Sequence, residues 1–97
     1  MMQDMIEIFF DLTKKAEERV NNARREAEKS KKNQQAMKKI LEKNFLVSGN
    51  YPADILDQYN NAVSDLKKKS KNFADSADFF HKCVQHLQHL QDQKDQN

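Results

Sequence analysis

Apolar and small residues recur along this chain in alternating steps of four and three. In the first half the series is Met2, Ile6, Phe9, Thr13, Ala16, Val20, Ala23, Ala27, Ser30, Gln34, Met37, Leu41 and Asn44. In the second half it is Leu56, Tyr59, Val63, Leu66, Ser70, Phe73, Ala77, Phe80, Val84, Leu87 and Gln91. A seven-residue repeat of this kind keeps one face of a helix turned toward a partner helix. The spacing predicts a helix over about 3–47 and a second over about 53–92, with a frayed tail over 93–97. Roughly 40 residues at 1.5 Å each make a helix of about 60 Å.

Between the two series lies "NFLVSGNYPADIL", residues 44–56, which holds the only Gly and the only Pro, Gly49 and Pro52. Glycine takes the left-handed conformation that ends a helix, and proline begins a helix but does not continue one. Asn50 reads as the N-cap of the second helix, with Asp54 and Asp57 placing negative charge in its first turn. The turn over about 48–52 predicts an all-α antiparallel two-helix hairpin, one domain over 1–97. Folding about residue 50 pairs positions whose numbers add to 100. Ser30 then faces Ser70, Ala23 faces Ala77, Val20 faces Phe80 and Leu41 faces Tyr59.

Composition supports helices over a conventional globule. A third of the chain is charged, mean hydropathy is -1.03, and Trp is absent. The lone Cys83 excludes an intrachain disulfide framework. No apolar run reaches the length of a membrane span, and the acidic N-terminal stretch has no signal-peptide pattern. The expected location is cytoplasmic, or outside the cell by a route without a cleaved signal.

The hairpin leaves apolar residues over. Met5, Ile8, Phe10 and Leu12 on the first helix, and Phe79, Cys83 and Leu90 on the second, fall outside the predicted seam. Phe9 lies on the seam but meets polar Gln91. Near the turn, Ile40, Phe45 and Ile55 are also extra. Each large side chain left in water forfeits roughly 1.5–3 kcal/mol of burial. Fraying of the ends is one reading. The favoured one is a second chain that covers them, giving a four-helix bundle. The expected contact is the open end, formed by Met5, Ile8, Phe9, Phe10, Leu12, Phe79 and Leu90, with Phe10 and Phe79 as anchors. The expected partner is a second copy or another helical protein, and the expected role is non-enzymatic: subunit, chaperone or adaptor.

Charge supplies an alternative. Residues 14–43 hold eleven Lys or Arg against five Glu. The predicted register sets Lys67, Lys68, Lys69 and Lys71 beside Lys29, Lys31 and Lys32, a basic waist suited to nucleic acid or another polyanion. No aromatic residue is interleaved there for base stacking. His81, Cys83, His86 and His89 share the second helix but spread over about 200° of it, too far for one ion to take all four. Cys83 with His86, and His86 with His89, are each three apart and could share a face and hold a metal, but would need further ligands. No cofactor, metal or catalytic residue is expected.

The length, the two long helices and the Gly-containing turn resemble the small WXG-type hairpins of type VII secretion. Val47-Ser48-Gly49 stands where that family has Trp-x-Gly. The Trp is absent, and no Tyr-x-x-x-Asp/Glu export signal follows the second helix. The resemblance implies a secretion-associated protein that pairs as a dimer of hairpins. Needle and co-chaperone subunits of type III secretion are similar at the same coarse level.

Overall fold

A computed structural model describes residues 2–96 and contains two helices, α1 (Met2–Ser48) and α2 (Ala53–Gln96), packed as an all-α helical hairpin. α2 runs beyond the expected end at 92, and Lys94 Nζ donates to Gln3 Oε1 at 2.6 Å. Contacts gather in two units. One joins the residues up to Ala23 with those from Asn72 onward, the open end. The other spans Arg24–Lys71 and includes the turn.

The turn is built on Gly49, whose φ is +68°. Its N–H donates to Phe45 O at 2.7 Å, closing α1 on one of its last unpaired carbonyls. The Ser48 hydroxyl lies 2.8 Å from Asn44 O and 2.9 Å from Asn50 O, a second local acceptor pair at this end. Asn50 is not the N-cap of α2. Its Oδ1 accepts from the N–H of Tyr51, the next residue, at 2.8 Å. The first carbonyl used by α2 belongs to Pro52, which accepts from Ile55 and Leu56. Asn50 stands too early in the chain to reach those amides.

The register differs from the midpoint fold. In the turn-end unit Ser30 Oγ donates to Asp65 Oδ2 at 2.6 Å, and Glu26 pairs with Lys69 at 3.7 Å. The numbers in each pair add to 95 rather than 100. Gln34 Nε2 donates to Tyr59 Oη at 3.3 Å, with a still lower total. In the open-end unit the Phe9 ring lies 4.4 Å from that of His86, again at a total of 95. The offset of five residues is about 7.5 Å of travel along the helix, somewhat more than one helical turn. Its cause is at the connection. The Tyr51 ring lies back against α1, 6.1 Å from that of Phe45, where the connection passes to α2. The last turn of α1 therefore stands past the start of α2.

The seam on α1 is the one the spacing predicts: Ala16, Ala23 and Ser30 are buried, and Ile6, Phe9, Thr13, Val20, Ala27, Gln34, Met37, Leu41 and Asn44 are half-buried. On α2 most of the predicted series is covered: Leu56, Tyr59, Val63, Leu66, Phe73, Ala77, Phe80 and Leu87 are half-buried, but the fully buried positions are Ala62, Ser76, Cys83 and Leu90. Ser70, Val84 and Gln91, assigned inward by the heptad, are exposed. Ser, Ala and Cys at these seven-residue intervals let helices approach more closely than a row of Val permits. The larger side chains then lie beside the contact, only half covered.

Two stability predictions follow from these positions. A Cβ on Gly49 would meet nothing within 4 Å, so Gly49→Val is penalised by the positive φ alone. Chemical denaturation should register a loss of roughly 1–2 kcal/mol. An unchanged midpoint would contradict the turn. At the seam, Ala23→Leu should cost about 1–3 kcal/mol by overpacking, whereas Val84→Ala should shift stability by no more than about 0.5 kcal/mol. Equal losses at both positions would restore the predicted α2 face.

Candidate interaction surfaces

At the open end the anticipated contact does not form one patch. Leu90 is 6% exposed and belongs to the core, so it is withdrawn as an interface residue. Phe9 is half-buried against the His86 ring and is largely spent inside the hairpin. Leu12 and Phe79 line one groove together with Lys15, Ala16, Glu18, Arg19 and Asn22. Met5 lies seven residues before Leu12 and Ile8 four before it, so both continue that flank of α1. Ile8 is the most open of the set, at 58%. Phe10 stands about 160° around the helix from Leu12. Its ring lies under Lys14 Nζ at 4.7 Å and shares no groove with Phe79. The two proposed anchors thus sit on different flanks.

The turn end carries an apolar surface that the heptad reading under-weighted. Leu46 and Val47 are 84% and 81% exposed, the highest values among the large apolar residues described. Ile40 and Phe45 are exposed beside them. Leu41, Glu42, Phe45, Leu46 and Tyr51 form a shallow cup of mostly apolar lining. The protruding last turn of α1 explains it, because α2 does not extend far enough to cover these residues. The available signal was Phe45-Leu46-Val47: three consecutive large residues cannot all face one seam.

The basic waist is interrupted by acids. Lys29 and Lys69 border a groove that also contains Glu26, Ser30, Asn33 and Asp65. Lys69 is paired with Glu26, and Asp65 is held by Ser30. Lys67, Lys68 and Lys69 are consecutive and so point about 100° apart around α2. Lys31, Lys32, Lys67, Lys68 and Lys71 are exposed. The groove itself brings two bases and two acids together.

On the second helix, Cys83 is buried and free. The rings of His86 and His89 are 6.3 Å apart, and Gln93 Nε2 lies 3.0 Å from His89 Nε2. Among the described residues no three His, Cys, Asp or Glu come together in a way that holds a metal ion. No helix in the described residues is long and apolar enough to cross a membrane. Comparison with protein-family models, with curated proteins and with solved structures finds no match to this chain.

Because Phe10 and Phe79 occupy different flanks, Phe10→Ser and Phe79→Ser should affect stability independently. In a double-mutant cycle the coupling should stay within about 0.5 kcal/mol. A coupling of 1 kcal/mol or more would place the two rings in one cluster.

Proposed function

We propose that this chain is a protein-interaction module, with no catalytic role of its own, that associates with another helical chain through apolar positions its own helices leave uncovered. Subunit, chaperone and adaptor roles all use such an association. The observation that carries the reading is the exposure of large apolar residues at helical spacing. Met5 and Ile8 are exposed on one flank of α1 in line with half-buried Leu12, and Leu46 and Val47 crown its last turn. Residues spaced three, four and seven apart suit a groove or face of a second helix. Burial of each such side chain recovers roughly 1.5–3 kcal/mol, so a few of them suffice to favour association.

Polyanion binding has no observation that favours it over this reading. The groove where Lys29 and Lys69 meet also holds Glu26 and Asp65, which lower the local potential.

The test uses substitutions of exposed positions, which leave the seam intact. Met5→Ser, Ile8→Ser, Leu46→Ser and Val47→Ser together should preserve helical content by circular dichroism. Light scattering should show loss of the wild-type assembly, or affinity isolation should show loss of its helical partner. A wild-type chain that neither self-associates nor captures a helical protein contradicts the reading. So does a variant that keeps both properties.

A further inference from the structure

The two exposed apolar surfaces on α1 carry opposite charge. Residues 3–12 contain Asp4, Glu7 and Asp11 and no Lys or Arg. Residues 38–47 contain Lys38, Lys39 and Lys43 against a single Glu42. Within each stretch the apolar residues follow the same pattern. At the open end Met5 and Leu12 are seven apart, with Ile8 between them. At the turn end Ile40 and Val47 are seven apart, with Lys43 at the corresponding place between them. Asp11 directly precedes Leu12, and Lys39 directly precedes Ile40, so each charge borders its apolar pair on the equivalent side.

We propose that the open-end flank of α1 in one copy seats on the turn-end flank of α1 in a second copy, antiparallel to it. The proposal rests on the interaction-module reading and names its partner. An antiparallel alignment with Met5 over Val47 also brings Leu12 over Ile40, because both spacings are two helical turns. The same alignment sets Asp11 beside Lys39, and the stem of Lys43 lies over Ile8. The alternatives are disfavoured by charge. Open end on open end gathers six carboxylates, and turn end on turn end gathers lysines of both copies. α2 does not discriminate, since it carries acids near both ends, Asp54 and Asp57 at one and Asp92 and Asp95 at the other, the latter two flanking Lys94. Charge therefore selects the orientation, and the apolar residues supply the adhesion.

Cross-linking reads the orientation directly. In a Cys83→Ala background, Ile8→Cys and Lys43→Cys chains should form an intermolecular disulfide when mixed, several-fold more than either chain alone. Charge reversal supplies the second arm. Asp4→Lys with Asp11→Lys, and separately Lys39→Glu with Lys43→Glu, should each weaken self-association about 10-fold or more. Mixing the two variants should restore it, since every open end then meets a turn end of opposite sign. Ile8→Cys chains that cross-link with themselves, or reversals without effect on assembly, overturn the proposal while leaving the interaction reading intact. A wild-type chain monomeric at every concentration also overturns it, and the wider reading then stands or falls on capture of a different helical protein. Flotation with phosphatidylserine vesicles, lost in Lys39→Glu with Lys43→Glu and unaccompanied by self-association, assigns the turn end to an anionic surface and equally overturns the proposal.

Discussion

Close packing of small side chains sets everything else in this hairpin. Ala16, Ala23 and Ser30 on α1, and Ala62, Ser76 and Cys83 on α2, are buried at intervals of seven or fourteen residues. Small residues at a helix contact favour backbone approach. Val20, Leu66, Phe73, Phe80 and Leu87 are only half covered, and Leu90 is the large side chain that joins the fully buried positions. A pair of helices packed in this way buries its small residues well and most of its large ones poorly. What remains is a fold with apolar surface to spare.

The turn converts that packing into asymmetry along α1. Gly49 ends the helix, and the Tyr51 ring lies back against it before Pro52 opens α2. The final turn of α1 is left without a facing segment. Leu46 and Val47 are exposed there for a topological reason, independent of any fraying. At the other end, Met5 and Ile8 are exposed because they lie to one side of the seam, on a flank α2 does not reach. Distinct causes thus leave apolar surface at the two ends of one helix, and the charges that border them are opposite in sign. The open end has three acids in ten residues, and the turn end three lysines. Electrostatic complementarity of this kind governs which surfaces meet more than how tightly they hold.

Much of the fold was legible in the residues, and the misreadings share a physical origin. The face of α1 could be traced from Ile6 to Asn44, Met2 lying outside the residues whose side chains are described, because its inward positions are the small and apolar ones, set among Lys, Arg and Glu. On α2 the pattern offers two adjacent stripes. Val63 and Ala77 are half-buried and Val84 is exposed, whereas the adjacent Ala62, Ser76 and Cys83 are fully buried, so hydrophobicity alone does not find the innermost positions. Which stripe lies innermost depends on how the two helices meet, which no single helix encodes. The register was misplaced because a turn of known residues does not reveal how far its backbone travels along either helix. That error carried into the candidate surfaces. It put Leu90 outside the core, grouped Phe10 and Phe79 in one contact, and left the exposure of Leu46 and Val47 unremarked. Gly49, by contrast, was readable outright, since a lone glycine between two long helical patterns has few other uses.

The hairpin stands on its offset register. Nuclear Overhauser contacts on the isotopically labelled chain read that register. Cross-peaks are expected between the rings of Phe9 and His86, and between those of Phe45 and Tyr51, the pairs separated by 4.4 and 6.1 Å. Cross-peaks from Phe9 to Gln91 in place of His86, together with Leu41 to Tyr59, would return the helices to the midpoint register and show the offset to be absent.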